Sequence, residues 1–158
     1  MPEWQFDEVH QTRVRAEAMS TFRAVLETTS DEILFYRTLT AIRRIFGSGG
    51  ADGESILKAA GHRPILESAE NGGFERLAEK PGVEVLMAAS LGKAIRVTMN
   101  FTFPDGGVRT ETRVHALNNR SLWLFAWYWR LIYPGSSLIR YMWLRAIRLR
   151  AENPKLND

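Results

Sequence analysis

The 158 residues contain no cysteine, which removes a disulfide scaffold, a thiolate zinc or iron–sulfur site and a cysteine nucleophile. Histidine is scarce. His10, His62 and His115 stand far apart, in no HExxH or H-x-E context, and a metal needs several converging ligands, so neither a metal nor a cofactor is expected. Long apolar runs are missing too. The most apolar stretch, Leu122 to Tyr133, is about a dozen residues and contains Arg130, against the roughly 20 that a bilayer span needs. The N-terminus, Met1 to Glu8, is acidic with no apolar core, so no secretory signal is expected and a cytoplasmic location is. Residues 47–53 hold four of the twelve glycines but match neither G-x-x-x-x-G-K-[ST] nor G-x-G-x-x-G, which rejects a phosphate cradle and leaves a flexible connector.

Acid is absent from one segment. Residues 118–150 carry six Arg and no Asp or Glu, together with four of the five Trp and three of the four Tyr, whereas residues 1–117 carry 14 Lys/Arg against 16 Asp/Glu. The net charge of +3 is therefore the balance of a slightly acidic body and a basic aromatic segment. The simplest consequence is that this segment docks on the rest of its own chain. No RRM, KH or helix-turn-helix signature accompanies the arginines, so no nucleic-acid partner is expected.

The length suits one domain over 1–158 with a short tail at 152–158. Period-2 alternation puts Trp4, Phe6, Glu8, His10, Thr12 and Val14 on one face of an opening strand. Met19, Phe22, Val25 and Leu26 then recur at helical spacing, and a second helix is expected from Ser30 or Asp31, with a short one over 54–60. Lys80-Pro81-Gly82 turns a hairpin between strands over 73–79 and 83–89. Ile95, Val97, Met99, Phe101 and Phe103 alternate strictly with polar neighbours, and Pro104-Asp105-Gly106-Gly107 turns the chain into Val108 to Leu117. Facing Phe103 with Val108 pairs Phe101 with Thr110, Met99 with Thr112 and Val97 with Val114 on one face. The other face then pairs Thr102 with Arg109, Asn100 with Glu111, Thr98 with Arg113 and Arg96 with His115. The last segment is a helix capped by Asn118 or Asn119, kinked or broken at Pro134-Gly135 and ended by Asn153-Pro154.

This order predicts an α+β fold in which a curved antiparallel sheet, with two helices after its first strand, grips a long C-terminal helix. The residues also carry a resemblance. Gly72 to Leu86, Thr110-Glu111-Thr112-Arg113-Val114, Tyr128-Trp129 with Tyr133-Pro134-Gly135-Ser136 and Leu138-Ile139-Arg140, and Leu144-Arg145-Ala146-Ile147-Arg148 are similar to the helix-grip, START-like or SRPBCC superfamily. That superfamily includes the Bet v 1-like allergens and the polyketide cyclases, and the likeness is nearest to a bacterial branch of it. The pattern departs between Ser90 and Lys93, where relatives carry an additional stretch and this chain has only Leu91-Gly92, which leaves strand count and cavity volume open. The resemblance implies a cavity between sheet and helix that holds small hydrophobic or amphipathic molecules, lipid-, sterol- or polyketide-like. Carriers, cyclases and hydrolases all occur on such a fold, so fold alone does not choose among them.

Candidate residues follow from these faces. Trp123, Trp127 and Tyr128, with Met87, Val97, Met99 and Phe101 opposite, are the expected ligand lining, or else core packing. An enzyme would draw on His115, Glu111 and Arg113, whose alternation instead favours an outer-face ladder. Arg140, Arg145 and Arg148 are the candidate membrane or anion face, or else a solvated face paired with the acidic 1–117 portion, opposed to an arc of Ile139, Met142, Trp143, Ala146 and Ile147. Oligomeric state has no signal in the sequence.

Overall fold

The computed structural model describes residues 5–32, 63–71, 73–91 and 94–153. Strand β1 (Phe6–Arg13) is followed by helix α1 (Ala18–Glu27), a 3-10 turn (Ser30–Glu32), helix α2 (Ile65–Asn71), strands β2 (Phe74–Lys80), β3 (Glu84–Leu91), β4 (Ile95–Thr102) and β5 (Gly107–Ala116), and helix α3 (Asn119–Glu152). The expected helix beyond Glu32, the connector at 47–53 and the short helix over 54–60 lie outside the described residues. Helix α2 was not anticipated. Its signal is Ile65, Leu66 and Ala69 on one side just after Pro64, a residue suited to a helix start.

The strands form one antiparallel sheet in the order β1-β5-β4-β3-β2. The register of β4 on β5 is the one read from the alternation, including Phe101 opposite Thr110, Met99 opposite Thr112 and Arg96 opposite His115. Strands β3 and β4 pair antiparallel as far as Leu91 facing Ile95, and residues 92 and 93 between them lie outside the described residues. The chain enters β1 through Gln5, whose side-chain amide donates to the Ala116 carbonyl at 3.3 Å and accepts from the Ala116 amide at 2.6 Å. One side chain thus continues the ladder by two hydrogen bonds.

Helices α1 and α3 cover one face of the sheet, so only that face is apolar. Val85, Met87, Phe101, Val108, Leu144 and Ile147 belong to a large buried cluster, and the Phe101 and Trp143 rings meet edge-on at 5.0 Å between centroids. A second cluster of Val97, Val114 and Phe125, packed by Phe6 and Trp129, lies toward the start of α3. Of the two outcomes expected at Pro134, a kink or a break, the break does not occur, and α3 runs past it as one helix. Proline removes one helix hydrogen bond and crowds the carbonyl of Arg130, but Phe125 on one side of it and Trp143 and Ile147 on the other are both buried against the same sheet.

Candidate functional site

Between the two apolar clusters the inner face becomes polar. Alternation along β1 sends Glu8 and His10 inward next to Phe6, opposite Thr112 and Thr110 of β5. Glu8 is 4% exposed. Its Oε1 lies 2.6 Å from His10 Nε2, and its Oε2 is buried with no hydrogen-bond partner. From α3, Ser137 and Arg140, three residues apart and so neighbours on one helix face, reach into the same layer. Ser137 Oγ is 3.3 Å from His10 Nε2, and Arg140 Nη1 donates to Thr110 Oγ1 at 3.3 Å and to Met99 Sδ at 2.8 Å. The Arg140 guanidinium also stands 5.8 Å from the centre of the Trp143 ring, a cation–π contact. Trp143 Nε1 is itself buried with no partner. A belt of Glu8, His10, Thr110, Thr112, Ser137 and Arg140 therefore crosses the core, and its helix end is half-exposed.

The chemistry of this belt is limited by one atom. Glu8 and Ser137 both address Nε2 of His10, whereas a hydroxyl nucleophile is activated when carboxylate and hydroxyl take opposite ring nitrogens. If Nε2 carries the proton shared with Glu8, it cannot also accept the Ser137 proton. The geometry suits holding a polar group, with a carboxyl acceptor in Glu8 and a guanidinium cation in Arg140.

The sequence-derived candidates divide. Met87, Val97, Met99 and Phe101 do face α3, and all four are buried. Trp123 and Trp127 do not face the sheet: they are 63% and 61% exposed and pack on each other, 6.3 Å apart. The helix phase that buries Phe125 and Trp129 turns them outward. The Tyr128 side chain lies outside the described residues, as does His62. Glu111 lies on the outer face between Arg109 (3.0 Å) and Arg113 (2.6 Å), which corrects both Glu111 and Arg113 as cavity catalysts and gives the outer-face ladder instead. His115 is on that face too, in an open hollow of about 580 Å³ shared with Glu75, Ser90, Arg96, Thr98 and Leu117.

Arg140 is the main correction among the arginines. It stands three, four and seven residues before Trp143, Leu144 and Ile147, all buried, so spacing puts it on the buried stripe although its charge suggested solvent. Arg145 and Arg148 are exposed, Arg148 pairing with Glu152 at 3.2 Å. Arg150 ties the basic helix to acidic groups of the body, reaching Glu27 (3.4 Å) and Glu32 (3.1 Å). Burial alone would raise the Glu32 carboxyl, but hydrogen bonds from Arg150 and the Thr29 amide, with the Arg150 charge, hold it below its ordinary value. Among the described residues no three His, Cys, Asp or Glu are grouped to hold a metal ion, and no helix is long and apolar enough to cross a membrane.

No protein-family model and no curated protein matches the chain. Among solved structures it is similar to the crystal structure of CalU16 from Micromonospora echinospora, with 13% identity over 92% of this chain and 84% of that one and a TM-score of 0.34.

Proposed function

We propose that the chain binds a small amphipathic molecule, lipid-, sterol- or polyketide-like, between the sheet and α3, with its polar end on the Glu8–His10–Arg140 belt. The observation that carries this reading is the Glu8 Oε2 atom, buried and without a hydrogen-bond partner. Leaving such an acceptor unpaired costs about 1–3 kcal/mol, and a ligand hydroxyl recovers it. The unpartnered Trp143 Nε1 asks in turn for an acceptor, such as a carbonyl. Ligand sites are commonly apolar surfaces with a few fixed polar groups, and the sequence resemblance points the same way. The ligand class is therefore an apolar body bearing at least one hydroxyl and one carbonyl or carboxylate.

Native mass spectrometry and organic extraction of the purified protein, followed by titration of the extracted species, test the proposal. A co-purifying amphipathic molecule is expected, with affinity at least about tenfold lower for Glu8→Gln, a hydrogen bond to a charged group being worth roughly 1.5–3 kcal/mol. If nothing co-purifies and a lipophilic dye binds wild type and Glu8→Gln alike, the reading fails. A cyclase-like second reading is favoured by the 2.6 Å Glu8–His10 contact, a pair suited to general acid–base work. It requires that the extracted species be converted on incubation with wild type and not with His10→Phe.

A further inference from the structure

The outward edge of α3 is not used by the belt. Arg120, Trp123, Trp127 and Arg130 step along it by three, four and three residues, and Leu138, Tyr141 and Arg145 continue the same line; all are exposed. At about 100° per residue these positions fall within an arc of roughly 80°, and from Arg120 to Arg145 the line runs about 38 Å. Trp123, Trp127 and Tyr141 are 63%, 61% and 63% exposed. The two indoles pack edge-on and make one ridge. So much aromatic surface left in water on one edge marks an interaction site, and the segment 118–150 contains no acid to offset its charge.

We propose that this edge is a docking surface for an anionic lipid bilayer, with the indoles and Tyr141 at headgroup level and Arg120, Arg130 and Arg145 on the lipid phosphates. Amphipathic aromatic rings favour the membrane–water boundary because one part of the ring system is apolar and the other needs hydrogen bonds. Arginines on the same edge add attraction to anionic headgroups. A second copy is the poorer occupant. A two-fold contact would set this edge against itself, arginine facing arginine with no acid between. A nucleic-acid strand fits less well, since single strands are bound in basic grooves, whereas this is a ridge that includes Leu138. The helix lies along the surface and does not cross it. The surface differs from the face expected from charge alone, because Arg140 points into the core and Arg148 leans on Glu152.

The test is flotation of the full chain with vesicles of phosphatidylcholine, with and without phosphatidylglycerol, read together with tryptophan emission. Binding is expected only with phosphatidylglycerol, reversed by salt and accompanied by a blue shift. Replacing an exposed arginine lowers the partition about fivefold, so Arg130→Gln with Arg145→Gln lowers it about 25-fold. Trp123→Ser with Trp127→Ser lowers it by at least about tenfold and removes most of the blue shift. Unchanged circular dichroism in these surface variants keeps the result interpretable. Equal binding to phosphatidylcholine alone, or flotation indifferent to both double variants, overturns the proposal. So does a self-associated species, or a complex with single-stranded RNA, that forms without vesicles and is abolished by the tryptophan changes.

Discussion

At the scale of single residues, the inner face is decided by Glu8. Its carboxyl sits 4% exposed in a layer flanked along β1 by Phe6 and Thr12, and only one of its oxygens is paired. A buried polar group that is half satisfied weakens a fold unless it serves something else. Replacing Glu8 by Met, of similar length and without the orphan acceptor, is expected to raise the thermal midpoint of the ligand-free protein by a few degrees, on the order of 1 kcal/mol. The same change should abolish binding of an amphipathic probe. Differential scanning fluorimetry and a probe titration on one preparation check both, and a fall in midpoint with binding intact would make the carboxylate purely structural. Phe101 gives the contrasting case. It is fully buried against Trp143, and Phe101→Ala should cost about 3–5 kcal/mol by chemical denaturation.

At the scale of elements, the hairpins were legible because alternation and turn chemistry agree. Phe101, Thr110, Met99 and Thr112 occupy the registers that the pattern assigns them, since a one-residue slip would turn every side chain to the wrong face. The β1–β5 pairing, between the first and last strands, had no such local signal. At its edge Gly107 is required for close approach: a Cβ there would lie 2.7 Å from the Thr12 carbonyl oxygen. Gly107→Ala therefore pushes β1 away from β5, and with it Glu8 and His10 from Thr112 and Thr110. A loss on the order of 2 kcal/mol, with weakened probe binding, is expected. Gly106→Asn is the control. A Cβ at Gly106 meets nothing within 4 Å and φ is +75°, a conformation Asn tolerates better than other non-glycine residues.

At the scale of the whole molecule, two ties hold the C-terminal end of α3 to the body. Arg150 reaches Glu27 and Glu32, and the Arg15 backbone amide donates to Glu152 at 2.9 Å. That amide is the main reason the Glu152 carboxyl lies below its ordinary value, and Glu32 is lowered as well. A carboxyl depressed in the folded state contributes stability in full above its unfolded value. That contribution is lost as pH falls through the folded value. Stability should therefore decline on acidification below roughly pH 4.3. Arg150→Met should flatten the part of that decline owed to Glu32, at a cost at neutral pH below about 1 kcal/mol for so exposed a pair. Thermal midpoints measured across the acid range for wild type and Arg150→Met check the sign.

By itself the sequence determined the strands of the sheet, helices α1 and α3, the face that β4 and β5 bury and the concentration of arginine and aromatic residues in one final helix, because these depend on local periodicity and composition. It also put Glu8 and His10 on the same face of β1 as Phe6 and Val14 by alternation, without assigning them a role. Which groups meet there was decided only by tertiary structure. Ser137 and Arg140 reach β1, β4 and β5 from far along the chain, and sorting side chains by charge hid Arg140 although its spacing from Trp143 and Ile147 marked it as inward. The same rotation of α3 that carries Arg140 into the core turns Trp123 and Trp127 out of it, since one helix face cannot serve both.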